Sequence, residues 1–278
     1  MKIDHVTIAG SDLKVMQEEL ENLGMKTDYG GPHSSGFTHM SLLGFNDGSY
    51  IELISSLKPG AQLWEKQIRE NGGPCAWAIG VKDIASELLR LEKLGVSVTG
   101  PDDYSRARPD GVLVEWKLGF IGDKAPGATL PFLIEDKTPR EFRVTPSLSV
   151  AGNKESGHLI GLQRVVLGVT ELEKEIKMFQ KLYGWGEPKR SAGFLDGATL
   201  AEFENTPVTL ATSSRGDSWL GSRLGKFGDS PCAFFIGTND LKWTIGKYGL
   251  GRENDWFQNK VAWIPSEKLN GTMLGFIQ

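Results

Sequence analysis

His5 and Glu52 are the two side chains whose types and positions best suit chemistry in this chain of 278 residues. Glu52 lies in the middle of the apolar segment YIELI, and side chains alternate along a strand, so Tyr50, Glu52 and Ile54 share one face. An unpaired carboxylate on such a face is costly, which predicts a binding partner. His5, in IDHVTIAG, faces the same side if the two strands are neighbours. We therefore expect an imidazole and a carboxylate to converge, although a buried pair that merely holds the sheet together is the alternative.

Two further histidines follow in the same region. His33 lies in the loop GGPHSSG, where glycines let the backbone pass close to a bound molecule. Because the ordinary pKa of histidine, near ~6.5, suits proton transfer, we interpret His33 as a catalytic residue. The alternative is an exposed histidine in a surface loop. His39 lies in the next extended segment, where it can hydrogen-bond a substrate.

The segment YSRARPDG carries a second cluster of charge. Arg106 and Arg108 can clamp a carboxylate or an enolate through two parallel hydrogen bonds, and we interpret both as substrate-binding residues. The alternative is a solvated loop. Tyr50 shares the face of Glu52 and is a further candidate for substrate binding. Together with other aromatic residues it suits an apolar pocket, but it also suits an ordinary core.

Strands and a helix must position these groups. The ranges 38–45 and 49–55 suit extended chain, and the Asp-Gly of FNDGS between them is a strong signal for a hairpin turn. After IDHVTIAG, the segment SDLKVMQEELENLG shows helical spacing of its apolar residues. Ser11 suits the N-cap of this helix, and Gly24 suits its end. The predicted order is strand, helix and then about three strands.

This order of elements repeats along the chain. CAWAIGV and KDIASELLRLEKLG repeat the first strand and helix at an offset of 71, since 83 − 12 = 71, and SPCAFFIGTNDL repeats GPCAWAIGVKDI at an offset of 157, since 232 − 75 = 157. The sequence predicts an α+β fold of four βαβββ modules in two domains. The modules are residues 1–72 and 73–148 in the first domain, and 157–228 and 229–278 in the second. The polar segment SVAGNKESGHLIG suits the linker between the domains.

Composition excludes several classes of protein. A net charge of −4 and a pI near 5.7 give no basic surface for nucleic acid. No apolar run approaches the ~20 residues of a membrane span. The first residues do not resemble an export signal, so we expect a cytoplasmic protein. With only two cysteines, Cys75 and Cys232, a disulfide scaffold is not expected.

These segments resemble the vicinal oxygen chelate superfamily, which includes glyoxalase I, extradiol dioxygenases and antibiotic-resistance proteins, and within it the glyoxalase-like domain. The resemblance rests on DHVTIAG, on GGPH with the following GFT, on DGSYIELI and on RARPDG with PFLIE. It implies that two βαβββ modules curl their sheets into an open cup. It also implies that His5 and Glu52 are ligands of a divalent metal ion, which could be Fe, Mn, Ni, Zn or Mg.

The sequence departs from the family pattern in its second module. The counterpart of His5 at the offset of 71 is Ala76, which cannot bind a metal ion. The counterpart of Glu52 falls in PFLIED, where Glu135 is a candidate metal ligand. Glu135 faces the cup if Leu133 packs inward, and it faces away if Phe132 and Ile134 do. A site with two histidines and one carboxylate needs a third ligand, and His33 is also a candidate for that role.

The resemblance predicts a metal-dependent lyase, isomerase or dioxygenase-like enzyme acting on a small molecule with vicinal oxygens or an enolisable carbonyl. A metal-free protein that binds or sequesters a small molecule is the alternative, which the alanine at position 76 favours. A third possibility is a cup kept for assembly, for which a homodimer is one form. In the second domain Arg164 aligns with His5 and Leu210 with Glu52, so we expect no second metal site there.

Overall fold

The computed structural model describes residues 1–60, 63–151, 158–192 and 197–278. It contains two eight-stranded sheets. The first sheet contains strands β1 Ile3–Ala9, β2 Asp28–Pro32, β3 Thr38–Gly44, β4 Tyr50–Ser56, β5 Gly73–Gly80, β6 Val98–Ala107, β7 Leu113–Ile121 and β8 Phe132–Asp136. Its helices are α1 Leu13–Asn22, α2 Glu65–Arg69 and α3 Ile84–Lys93, and the short helices α4 Arg140–Arg143 and α5 Leu148–Ala151 follow β8.

The second sheet repeats the first. Its strands are β9 Leu159–Gly168, β10 Lys189–Ala192, β11 Ala198–Glu202, β12 Val208–Ser213, β13 Ser230–Thr238, β14 Asn254–Trp256, β15 Asn259–Trp263 and β16 Leu274–Ile277. The helices are α6 Leu172–Tyr183, α7 Trp219–Phe227 and α8 Leu241–Tyr248, followed by a 3₁₀ helix at Ser266–Leu269. Residues 152–157 of the predicted linker lie outside the described residues.

The strand order is the same in both sheets and confirms the predicted repeat. It is β2-β3-β4-β1-β5-β8-β7-β6 in the first sheet and β10-β11-β12-β9-β13-β16-β15-β14 in the second. In the first sheet, β1 pairs in parallel with β4 and antiparallel with β5, so the two modules meet at the centre. The two edge strands of this sheet, β2 and β6, lie close together: Arg106 of β6 donates a hydrogen bond of 2.6 Å to the carbonyl of Gly30 in β2. The sheet is thus curled into the predicted cup.

Local sequence signals explain the main elements. Asp12 caps α1 by accepting from the backbone nitrogens of Lys14 and Val15, so the N-cap is Asp12 and not Ser11. The hairpin between β3 and β4 turns at FNDGS as predicted. There Gly48 has a φ of 83°, a left-handed conformation that favours glycine.

One apolar core joins the two halves of the chain. It contains Val6 and Trp77 from the first sheet together with Val165 and Phe234 from the second, all fully buried. The helix-covered faces of both sheets contribute to this core, so the concave faces lie outside it. Within the described ranges, no helix is long and apolar enough to cross a membrane.

Candidate functional site

The first cup encloses a cavity of about 400 Å³. Its walls are mostly aromatic and aliphatic, and they include Phe37, Trp64, Trp116, Leu118, Phe120 and Phe132. A volume of this size suits a small organic molecule. His5, His33, Tyr50, Glu52 and Arg106 also line the cavity, so the structure brings together five of the predicted site residues.

Glu52 is the centre of the polar groups in the cavity. Its carboxylate is buried, and its Oε1 lies 3.0 Å from Nε2 of His33. The other oxygen, Oε2, accepts a hydrogen bond of 3.2 Å from Thr7 and lies 3.8 Å from Nε2 of His5. The predicted convergence of His5 and Glu52 is present because β1 and β4 are neighbours, with Thr7 opposite Glu52. His33 joins them from the loop after β2, where its Nδ1 lies 2.9 Å from Oγ1 of Thr38.

Asp4 and Arg143 orient the His5 ring on the side away from Glu52. Nδ1 of His5 lies 2.7 Å from Oδ1 of Asp4, and a carboxylate accepts, so this nitrogen carries the proton and Nε2 faces Glu52. Arg143 donates to both oxygens of Asp4, at 2.9 and 3.0 Å, and to the hydroxyl of Tyr50 at 2.8 Å. The Tyr50 ring stacks on His5 with centroids 4.6 Å apart. The hydrogen bond to Asp4 therefore fixes the edge of the imidazole, and the Tyr50 ring fixes its face.

These contacts hold two buried carboxylates in the ionised form. Burial alone would raise the pKa of Glu52, but the hydrogen bond and charge of His33, with contributions from His5 and Thr7, hold that pKa below its ordinary value. Burial likewise opposes ionisation of Asp4, but the charge of Arg143 and the hydrogen bond to His5 hold the pKa of Asp4 well below its ordinary value. A negative charge is therefore kept on both sides of His5.

The predicted arginines have different positions. Arg106 is 7% exposed and donates to the carbonyls of Gly30 and Arg143, which closes the cup. Arg108 is absent from the cavity lining; it pairs with Asp110 at 2.7 Å in the solvent-facing loop. This geometry corrects the prediction of Arg108 as a substrate-binding residue and favours the solvated-loop alternative for it.

His39 also lies outside the cavity. Strand β3 presents Thr38, Met40 and Leu42 to the cup, so alternation turns His39 to the opposite face. Its ring meets the edge of Tyr29 at 6.0 Å, and burial with the nearby His33 lowers its pKa. The prediction that His39 binds substrate is corrected accordingly.

Glu135 is turned away from the cup by the register of β8. Phe132 and Ile134 line the cavity, and Glu135 instead accepts a hydrogen bond of 2.7 Å from the backbone nitrogen of Ile84 at the start of α3. This position corrects the prediction of Glu135 as a metal ligand. Of the two registers that the sequence left open, the structure has the one that removes this carboxylate from the site.

Strand pairing identifies the true counterparts of His5 and Glu52. In the pairing of β1 with β5, His5 lies opposite Ala78, and Thr7 lies opposite Ala76. The offset of 71 between the modules relates His5 to Ala76 and Thr7 to Ala78, since 76 − 5 = 78 − 7 = 71. Ala76 is therefore the counterpart of His5 in the second module. Glu52 lies opposite Thr7, and the residue opposite Ala78 is Phe132. The second module therefore presents a methyl group and a phenyl ring where the first presents an imidazole and a carboxylate.

The residues present do not fit the metal site that the family resemblance implies. That site draws ligands from both modules, and here one module supplies only Ala76 and Phe132 at the corresponding positions. Each oxygen of Glu52 already contacts a protein donor. In the part of the chain that the structure describes, no group of three or more His, Cys, Asp or Glu side chains is arranged to hold a metal ion. The polar centre is a carboxylate in contact with a hydroxyl group and two imidazoles, and it lacks the second module's share of a four-ligand cage.

The second sheet differs from the first at its concave face. Arg164 forms an ion pair of 3.0 Å with Glu202, and Thr209 donates to the same carboxylate. Leu210 belongs to the core shared by both halves, so Thr209 rather than Leu210 faces the cup. The counterpart of Glu52 in the second domain is therefore Thr209, one residue before the Leu210 that the sequence alignment predicts. Phe235, Trp256 and Trp263 pack together on this face and fill the space.

Sequence reasoning missed three groups that hold the site. Strict alternation predicts that Asp4 points to the opposite face of β1 from His5, and the sequence patterns do not indicate Thr38 or Arg143. The pairing of β1 with β5 is irregular between Ile3 and His5, which is where Asp4 departs from strict alternation. Arg143 lies in a short helix distant in sequence, and the only available signal was the high density of charge after β8.

Comparison with known proteins identifies the family. The model of the glyoxalase-like domain matches residues 3–183, and a search of the curated proteins returned no match. Among solved structures, a hypothetical protein from Staphylococcus aureus superposes with a TM-score of 0.65 at 16% identity, covering 99% of this chain and 98% of its own. A variant of 4-hydroxymandelate synthase from Streptomyces coelicolor superposes with a TM-score of 0.65 at 12% identity, covering 100% and 92%. The chain therefore belongs to the glyoxalase-like domain family.

Proposed function

We propose that the first cup is the active site of an enzyme that moves a proton on a small, largely apolar molecule with an enolisable carbonyl group. The observation that carries this proposal is the buried Glu52 carboxylate with an imidazole beside each of its oxygens, in a cavity of about 400 Å³. Groups of this kind in an apolar cleft suit general acid–base catalysis. The product is an isomer, or, where the substrate carries a leaving group on the carbon next to the one that loses its proton, the enolate expels that group with its bonding electron pair to complete an elimination.

Glu52 is the base in this mechanism. Its lowered pKa keeps it ionised at neutral pH, so it accepts the proton from the carbon beside the carbonyl group. The carbon–hydrogen bond breaks, its electron pair enters the enolate, and the proton is transferred to a carboxylate oxygen. Return of the proton to the same carbon or to a neighbouring one restores Glu52.

His33 supplies the complementary acid. Its Nε2–H donates to Glu52 in the free protein and lies at the edge of the cavity, where it can donate to the enolate oxygen instead. Thr38 fixes the ring through Nδ1. His5, held by its contacts with Asp4 and Tyr50, adds a second imidazole to the polar wall, with its Nε2 3.8 Å from Oε2 of Glu52.

Hydrogen exchange in heavy water tests this proposal without knowledge of the natural substrate. A panel of aryl alkyl ketones, including benzoylbutyrate, is incubated with the protein, and loss of the proton signal beside the carbonyl is followed by NMR. We expect catalysed exchange that falls by roughly 10²–10⁴-fold in Glu52→Gln and in His33→Gln. His39→Gln, which changes a histidine outside the cavity, is the matched control and should keep the wild-type rate.

Catalysed exchange that persists in Glu52→Gln would contradict the proposal. Exchange no faster than in buffer across the whole panel would favour the alternative, a protein that binds or sequesters a small molecule. The divalent metal ion stays a prediction of the family resemblance, and elemental analysis of untagged protein tests it. The acid–base proposal expects exchange to survive a chelator.

A further inference from the structure

Arg106 differs from the two other arginines beside the first cup, the buried Arg143 and the half-buried Arg140, in forming no ion pair with a carboxylate of the described residues. Arg143 forms ion pairs with Asp4 and Asp136, and Arg140 does the same. Arg106 donates only to the main-chain carbonyls of Gly30 and Arg143, and none of the carboxylates in the described ranges forms an ion pair with it. Its side chain nevertheless lines the cavity.

An uncompensated guanidinium in this position is costly. The residue is 7% exposed, so water replaces little of the solvation that its charge loses. Burial lowers the pKa of Arg106, and the more distant Tyr50 and Glu52 only partly oppose this effect. Two carbonyl oxygens satisfy hydrogen bonds but leave the positive charge unneutralised. An anion bound in the cavity would neutralise it.

The strand order gives the spacing between the strand that Arg106 contacts and the strand that carries the proposed base. Arg106 contacts Gly30 in β2, and Leu42 of β3 lies between β2 and Glu52 of β4. Two strand spacings separate β2 from β4, which is ~10 Å along the sheet. The wall that faces them is apolar and aromatic, with Tyr104 and Trp116 stacked at 6.3 Å.

We propose that the cup binds an apolar monocarboxylate, with its carboxylate at Arg106 and its carbonyl-bearing carbon chain extending toward Glu52 along the aromatic wall. This inference names the ligand class for the site of the proposed function. Because its test measures binding alone, it stands or fails separately from proton transfer.

The experiment compares each acid with its neutral amide. Phenylbutyrate and benzoylbutyrate, and the corresponding primary amides, are titrated into the wild-type protein by calorimetry. We expect each acid to bind about 10- to 100-fold more tightly than its amide, the range for one charge-assisted hydrogen bond. The affinity of the acids should fall with added KCl while that of the amides stays constant.

Variants assign the preference to Arg106. In Arg106→Gln the acid and the amide should bind equally, whereas Arg106→Lys, which keeps the charge, should retain part of the preference. Arg108→Gln is the matched control, since Arg108 lies in the same segment and pairs with Asp110 outside the cavity. Thermal unfolding of each variant is measured first, because Arg106 also joins β6 to β2.

Three results would overturn the proposal. The first is equal binding of acid and amide by the wild type. The second is a preference for the acids that survives in a folded Arg106→Gln protein. The third is failure of every acid to bind, whether or not exchange with other ketones is catalysed. The salt dependence in the wild type keeps the proposal testable if Arg106→Gln does not fold.

Discussion

At the residue scale, Asp4 connects the polar centre to the scaffold. It is almost fully buried, bonds to His5 on one side and pairs with Arg143 on the other. Strict alternation predicts that Asp4 and His5 point to opposite faces, and for this reason the sequence did not indicate the contact. The irregular pairing at the start of β1 lets both side chains reach the same network.

Replacing Asp4 with asparagine should strongly destabilise the protein. Arg143, with 4% of its side chain exposed, would lose the carboxylate that receives two of its hydrogen bonds. Breaking a buried pair in this way costs ~3–5 kcal/mol in the free energy of unfolding at neutral pH. Urea unfolding measures the change. Asp110→Asn, which breaks an exposed pair, should cost less than ~1 kcal/mol.

The stabilisation by Asp4 should depend on pH in one direction. The folded protein lowers the pKa of Asp4 below its ordinary 3.8, so the stabilisation is full above that value and is lost as the pH falls through the folded pKa. The difference in unfolding free energy between wild type and Asp4→Asn should be constant near neutral pH and shrink below pH 3.8. A difference that grows with acidification would contradict this assignment.

At the element scale, strand register decides which side chains reach the cup. The helical and hairpin patterns identified the elements from sequence, since apolar spacing and Asp-Gly turns are local signals. The register of β8 was not predictable, because PFLIED is apolar on both faces and alternation permits either inward set. Pairing of Ala78 with Phe132 selects the set that excludes Glu135, and no local signal reports that pairing.

Replacing Glu135 with alanine should affect α3 and not the site. Its carboxylate accepts from the first helical nitrogen, at Ile84, where a negative charge also suits the helix dipole. Loss of this contact should lower the unfolding free energy by about 1 kcal/mol, as for other N-terminal helix contacts. Ligand affinity and exchange rate should stay at wild-type values. A loss of bound metal or of exchange in this variant would return Glu135 to the site.

At the scale of the whole molecule, the two halves share a fold but differ at their concave faces. The repeats in sequence predicted the four modules, because each repeat preserves its apolar pattern. The contrast between the cups depends on tertiary packing: the second is filled by Phe235, Trp256 and Trp263, and the first is open. The continuous core between the sheets indicates that the second half supports the first.

Arg223 should be important for holding the halves together. It donates to the carbonyls of Gly72 and Pro74 in the first half and of Pro231 in the second. Arg223→Met would leave these buried acceptors unpaired, at ~1–3 kcal/mol for each acceptor that water cannot reach. Calorimetry should show one unfolding transition in the wild type and a lower midpoint in the variant. Two separate transitions in the wild type would show that the halves unfold independently.

The central claim is that Glu52 is an ionised carboxylate coupled to His33 in the first cup. An NMR titration of labelled glutamate carboxyl carbons tests it directly, with Glu52 assigned by its absence in Glu52→Gln. We expect the pKa of Glu52 to lie below the ordinary 4.5 in the wild type and to rise in His33→Gln, where the partner that lowers it is lost and burial opposes ionisation. A wild-type pKa of Glu52 at or above 4.5, or one that His33→Gln leaves unchanged, would show that His33 does not hold this carboxylate in its ionised form.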